Sequence, residues 1–582
     1  MQLIHLYIIE HKAIYNLNIP LSGSFTCQFH WHEGASLKQK EGVLNYYNGF
    51  HCSAIIGPNG GGKSSILDFV SALDSSSNSR LVAVFFDKEE DEYHLCLVNI
   101  QPEEIPLLEV DKKCTMVSEI EEFLRAHRIQ FAKVNSLSEG FGFFEHPVKK
   151  KKKRYLKELT ISENVSSEAK KKRYFKKYLN FFRGFPRESY QDHICYAFSF
   201  SGSSQGIVEK LINSNLPPNI QNKLLQTGFS ILSRDLIVKL ISQLQDKESI
   251  VGDWNANRVF HVLLERNTPA ILEGLSKLTQ EPDSALPILV NIYLDLKNQG
   301  KILGSHNEFS LATRKFCNTW ELLSAEQEKN KISSLMEEYL ESVFDVYIRL
   351  SELIIDNCYD GERLDLAQLV VESYDVIEDL VSVAGELPST LSSSISWGWR
   401  GASSGELARA HVFSEIFNYL DKIPRFVSPV ILIDEADLYL HPEWQRLFLD
   451  DLLKLFSHFE QTRCIRKPQL ILCTHSPIII SDFLAEDIFS IRRDDYGNFE
   501  TFNSIGFGSS ITEIYMKDMH LQSTFGEHAR RKITHLLRMA DRKKLSPADY
   551  LLIEKISNRS LRNLLTHKGF NGDPSAAQTV EM

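Results

Sequence analysis

A membrane-spanning helix needs about twenty consecutive apolar residues, and this 582-residue sequence contains no such run although 43 % of it is hydrophobic. The opening stretch MQLIHLYIIEHKAIYNLNIP is broken by Glu10, His11 and Lys12, and it lacks the small-residue cleavage pattern of a secretory leader. A cytoplasmic protein with no membrane partner is expected. The nine cysteines are scattered singly with no C-x-x-C pair, which excludes a disulfide framework and a cysteine zinc cluster as readings. His30 and His32, in HWHEG, lack further clustered ligands and read as loop histidines. What the chain does have is length for about two to four domains and a charged fraction of 24 %, typical of a globular protein.

The net charge is −11, yet positive charge is concentrated in one place. Residues 149–177 carry thirteen Lys and Arg against three Glu, in KKKKKR (Lys149, Lys150, Lys151, Lys152, Lys153, Arg154) and AKKKRYFKKY (Lys170, Lys171, Lys172, Arg173 and beyond). Interleaved with Tyr155, Tyr174, Phe175 and Tyr178, this run suits a cationic track for phosphates with aromatics for exposed bases. A solvated face, a flexible insert tip or a nuclear import signal would give the same composition.

Glycine is sparse except at one point. SAIIGPNGGGKSSILDFV fits G-x-x-x-x-G-K-[ST], with Gly57, Gly62, Lys63 and Ser64 at the defining positions. A β-like run precedes it, and Ile66, Leu67 and Val70 follow at helical spacing. Glycines allow the backbone N–H groups of Asn59, Gly60, Gly61, Gly62, Lys63, Ser64 and Ser65 to approach phosphate oxygens, and a helix N-terminus adds partial positive charge. Lys63 would reach the β- and γ-phosphates, and Ser64 would hold Mg²⁺.

Carboxylates for the metal and the water are then needed. SPVILIDEADLYLHPEWQR ends an apolar strand on Asp434 and Glu435, placing Asp434 as a metal ligand and Glu435 as the group that polarises water. QLILCTHSPIII ends another such strand on Thr474 and His475, where His475 could contact the γ-phosphate. Ser403, Ser404, Gly405 and Glu406 lead into a helix with Phe413, Ile416, Phe417 and Leu420 on one face, and offer a second anion grip on the nucleotide.

Taken in order, Gly57–Ser64, Ser403–Glu406, Val430–Glu435 and Thr474–His475 resemble the ATP-binding cassette (ABC) ATPases, in the non-transporter branch of the SMC, RecF and overcoming-lysogenization-defect proteins. LIDEADLYLHPEWQR and LCTHSPIII are similar to the last of these. The resemblance implies ATP and Mg²⁺ as cofactors and a head-to-tail dimer or higher even oligomer, in which Ser403–Glu406 of one copy completes the other's nucleotide site. It places Asp437 and Leu438 on the loop between the two sites. Ala402 stands where the family has leucine, Glu406 where it often has glutamine, and Asn135 or Ser136 where a magnesium-sensing glutamine is usual, so that role stays open between Gln130 and Gln101.

Nuclease-bearing members of the branch add a metal-dependent domain with a D-x-D pair. Beyond His475 the sequence offers a hairpin around Tyr496-Gly497-Asn498 and about seventy helix-forming residues, so no nuclease domain is expected. The layout and the stretch MHLQSTFGEHARRKI resemble the PtuA family of Septu antiviral systems, which also occurs beside a reverse transcriptase in some retrons. That resemblance implies an HNH-type, PtuB-like nuclease as partner, with a reverse transcriptase and its RNA/DNA product and other nucleic acid as further ones.

The expected fold class is α/β, an ABC-type P-loop ATPase head with a mixed, split sheet. Its halves are expected at 1–140, carrying the lysine loop, and 386–508, carrying the signature, the acidic strand end and the histidine loop. Between them, 141–385 reads as many short helices without sustained heptads or a zinc-hook cysteine pair, and 509–582 as a helical tail. Two functions follow: a defence ATPase that gates a nuclease, or a stand-alone RecF/SMC-like DNA-maintenance ATPase. A transporter motor does not suit the LHPEWQ branch.

Overall fold

The computed structural model describes all residues except 43, 59–60, 74–77, 136–152, 160–167, 186–194, 201, 217, 245–252, 300–304, 324–328, 362–363, 367, 372, 393, 402, 436, 494–498, 520, 522 and 571–582. The chain divides into two compact units, one built from residues 1–161 and 419–582, the other from 162–418.

The first unit is organised by a seven-stranded sheet in the order Leu156–Glu158, Ile129–Asn135, Ser428–Asp434, Gln469–Cys473, His51–Ile56, Ile488–Arg493 and Phe499–Asn503. All neighbours pair in parallel except the last two, which form an antiparallel hairpin. The turn of that hairpin, at Tyr496-Gly497-Asn498, lies outside the described residues. Every residue of Ser428–Asp434 and Gln469–Cys473 is buried, as strands covered on both faces must be.

A five-stranded sheet stacks on this one. Its first strand, Gln2–His11, is buried almost throughout because its side chains enter two cores on opposite faces. Leu3, Leu6 and Ile8 join Ile55, Phe131, Leu432 and Ile471; Ile4, Tyr7 and Ile9 join Phe29, Leu37, Val84 and Tyr93. The interrupting Lys12 sits in the turn to Ile14–Pro20, with φ 54°. The tail helices Glu527–Asp541, Pro547–Glu554 and Arg559–Phe570 enclose a small core of Leu536, Ala540, Ile553 and Leu565.

The second unit contains short helices, among them Gln205–Ile212, Pro218–Gln226, Arg234–Leu244 and Tyr374–Ala384, together with four longer ones than the sequence suggested: Ala256–Ser276, Pro282–Asn298, Ser305–Leu323 and Lys329–Cys358. Pro269 reads as a helix breaker because it lacks an N–H, but Ser203 bridges the gap. Its N–H donates to the Arg266 carbonyl at 3.1 Å, and its Oγ accepts from the Ala270 N–H at 3.1 Å. Strands Leu369–Val371, Cys195–Phe200 and Ile395–Arg400 add a three-stranded antiparallel sheet. Ile395–Arg400 pairs with Cys195–Phe200, and this unit runs on to Asn418. Among the described residues, no helix is long and apolar enough to cross a membrane.

Candidate nucleotide site

Parallel pairing brings three loops to one edge of the central sheet. Ile433 is level with Leu472, and Cys473 with Ile55, so the loops after Ile56, Asp434 and Cys473 emerge side by side at the carboxyl ends, where open α/β sheets gather ligands.

Lys63 is buried, and its Nζ donates to the carbonyls of Gly57 and Pro58, both at 3.0 Å. Gly57 has φ 155°, and a Cβ there would lie 2.3 Å from the Ile491 carbonyl oxygen, so this close approach admits only glycine. Gly62 caps the helix in the left-handed region, with φ 90°. The helix itself is shorter than the periodicity suggests: Lys63–Leu67 is α, and Asp68–Ala72 tightens to 3₁₀. The dipole contribution is accordingly smaller than expected, and the loop's N–H groups and Lys63 carry more of any phosphate contact. Asn59 and Gly60 lie outside the described residues; Gly61 is buried, Ser64 exposed and Ser65 half-buried.

Asp434 is buried beside Ser64, whose hydroxyl donates to it. Burial pushes its carboxyl above the usual range, against that hydrogen bond and the nearby Lys133 and Lys63 ammoniums. Glu435 is likewise raised, first by burial and then by the charges of Asp434 and Asp437. Lys63 is lowered by burial, with Asp434, Asp437 and Glu435 among the groups acting in the other direction. Asp434 Oδ1 and Glu435 Oε2 are buried and have no hydrogen-bond partner among the described residues. A hard divalent cation is the chemistry that satisfies orphaned carboxylate oxygens next to a serine hydroxyl, so Ser64 and Asp434 fit Mg²⁺. Glu435 adopts φ 53°, a conformation that costs a non-glycine residue about 1–3 kcal/mol and is concentrated at functional sites.

His475 is half-buried at the third loop, and burial followed by the Lys63 charge lowers its pKa, which favours a neutral imidazole. Sequence reasoning did not anticipate how this loop is held. Asp437 Oδ1 accepts from Thr474 Oγ1 at 2.5 Å and from the His475 N–H at 3.0 Å, and Ser476 Oγ donates to Gln445 Oε1 at 2.6 Å. Asp437 therefore ties the acidic loop to the histidine loop. Behind the lysine helix, Lys133 Nζ donates to Asp68 Oδ1 at 2.6 Å, and Lys12 bonds the other carboxylate oxygen.

In the second unit, Ser403 and Glu406 form a capping box at the start of Ser404–Lys422: the Ser403 N–H donates to Glu406 Oε2 at 2.6 Å, and the Glu406 N–H donates to Ser403 Oγ at 3.3 Å. Glutamate in place of glutamine thus has a local structural use. Ser404 is exposed and Gly405 buried.

The basic track is only partly placed. Lys149–Lys152 lie outside the described residues, as do the side chains of Lys170, Lys171, Lys172 and Arg173 on the helix Glu168–Gly184. Lys153 bonds the Ser71 carbonyl, and Arg154 is exposed. The aromatics read as base platforms are mostly packed instead: Tyr155 and Phe175 are buried, and Tyr178 meets Trp399 edge-on at 5.9 Å. Helical periodicity turns Phe175, Leu179 and Phe182 inward together.

The fold is that of a P-loop ATPase domain with helical elements. Residues 401–481, which run from the capping box through the acidic strand to the histidine loop, match the family described as "AAA domain, putative AbiEii toxin, Type IV TA system". The chain is also 30 % identical over 190 residues to "Retron Vc95 probable ATPase" of Vibrio cholerae serotype O1 biovar El Tor. That match covers 30 % of this chain and 33 % of the relative's length.

Proposed function

We propose that the chain is the ATP-hydrolysing subunit of an antiviral defence assembly of the Septu or retron kind, in which nucleotide-dependent pairing of two copies gates an associated HNH-type nuclease. The observation that carries the reading is the convergence of Lys63, Ser64, Asp434, Glu435 and His475 at the ends of three parallel strands, with two carboxylate oxygens orphaned in the middle. In this reading Lys63 exchanges the Gly57 and Pro58 carbonyls for phosphate oxygens. Ser64 and Asp434 hold Mg²⁺, whose charge offsets that of the phosphates when bound. Glu435, with its raised pKa, is suited to take a proton from water at neutral pH. His475 orients against the terminal phosphate, and Asp437 fixes its backbone. Ser403–Glu406 of a second copy caps the nucleotide.

Steady-state ATPase assays combined with sizing in ATP test this. Lys63→Ala should lose nucleotide binding, and Glu435→Gln should keep ATP but lose turnover by at least about a hundredfold, accumulating as a dimer. Wild-type turnover in both variants would overturn the reading. Turnover that fails while Glu435→Gln remains monomeric in ATP would retain the ATPase and reject the paired site.

A further inference from the structure

A second orphaned group lies in the first unit, far from the nucleotide loop. His94, on the strand Glu92–Val98, is only 7 % exposed, and its Nε2 has no hydrogen-bond partner among the described residues. Asp87 ends the strand Arg80–Asp87, and Glu90 follows in the turn. One ligand atom from each of Asp87, Glu90 and His94 lies within 4.8 Å of the others.

Strand pairing explains the cluster. Phe85 is opposite His94 and Asp87 opposite Glu92, so Asp87 and His94 share one face of the sheet. Glu92 shares it too, but its carboxylate is engaged by Lys113 Nζ at 2.7 Å and by the Thr115 hydroxyl, which leaves Asp87 and Glu90 as the acids beside His94. Asp87 Oδ1 accepts the backbone N–H groups of Glu89 at 2.8 Å and Glu90 at 3.4 Å. Such bonds fix the orientation of a carboxylate. The His127 ring lies 5.4 Å from that of His94. Asp87 and Glu90 also line a cavity of about 250 Å³, together with Met1, His127, Arg128 and Arg466 among others.

We propose that Asp87, Glu90 and His94 bind a divalent transition cation of the Zn²⁺ or Mn²⁺ type. An imidazole with two carboxylates suits these ions better than Mg²⁺, which takes oxygen ligands. The site is separate from the nucleotide. The strand Ile129–Asn135 starts two residues after His127 and runs six residues to Asn135, level with Asp434, a distance of roughly 20 Å. Bound there, the ion cross-links the 80–98 hairpin.

The test uses untagged full-length protein, freed of metal by chelation and titrated with Zn²⁺ and Mn²⁺ in the absence of nucleotide, with calorimetry and metal analysis as readouts. One equivalent per chain is expected in an Asp434→Asn background, which removes the cation ligand proposed for the nucleotide site. His94→Gln and Glu90→Gln should each weaken binding at least about tenfold, while Lys63→Ala leaves it unchanged. Glu90 is exposed, so Glu90→Gln keeps the fold even where a change at buried His94 does not. Absence of saturable binding, equal affinity in the Glu90→Gln protein, or equally tight Mg²⁺ would each overturn the proposal.

Discussion

At the scale of single residues, the nucleotide loops hold charge that the resting fold does not neutralise. Asp434 and Glu435 both have pKa values raised by burial, so the folded chain binds their protons more tightly than the unfolded chain does. Linkage fixes the sign: their contribution to stability falls as pH rises from the ordinary carboxylate range through the raised values, and at neutral pH both charged forms count against the fold. Replacing the charge should reverse this. Asp434→Asn is expected to raise the melting temperature of the nucleotide-free protein at pH 7, with the gain vanishing toward pH 4, while abolishing the further stabilisation that Mg²⁺ and ATP give the wild type. Differential scanning fluorimetry across pH, with and without Mg²⁺ and ATP, reads both effects. A variant less stable at pH 7 would show that Asp434 is structural and already compensated.

At the scale of elements, the helix Ser404–Lys422 is where structure and function compete for the same atoms. Ser403 Oγ accepts from the Glu406 N–H, so a loss of stability in Ser403→Ala, about 1 kcal/mol, says nothing about nucleotide. Glycine caps almost as well as serine. Ser403→Gly is therefore expected to stay within a few tenths of a kcal/mol of wild type in denaturant titration while weakening ATP-dependent self-association in analytical ultracentrifugation. Undiminished association would confine Ser403 to capping. The same contrast explains what could be read from the sequence. Lys63, Asp434 and His475 follow apolar runs whose strand character is a local property, and their arrival at one sheet edge follows from parallel pairing. The Asp437 contacts to Thr474 and His475 join residues far apart in the chain, with no local pattern to announce them. The long helix Ala256–Ser276 was hidden for a similar reason: Pro269 is a local breaker, and Ser203, which repairs it, is 67 residues away from Ala270.

For the whole molecule, the placement of aromatics changes what the basic run can do. Stacking on bases requires exposed rings, yet Tyr155 and Phe175 are core residues, and the charge of Lys177 is met by Glu415 at 2.5 Å. Any nucleic acid that this segment holds is therefore held through its phosphates, and the grip should be independent of base sequence and steeply dependent on salt. Replacing all six cations of Lys149–Arg154 with glutamine should reduce the magnitude of the log–log slope of affinity against salt by up to about 5 on duplex DNA, at about 0.9 for each phosphate no longer neutralised. Tyr174→Ala, at a half-buried position on the adjoining helix, should leave both affinity and slope unchanged. Fluorescence anisotropy with one duplex and one single strand of mixed sequence, each titrated at several salt concentrations, separates the outcomes. A flat response to the six-fold replacement would return the run to a solvated surface, and a loss on Tyr174→Ala confined to the single strand would restore the stacking that the packing argues against.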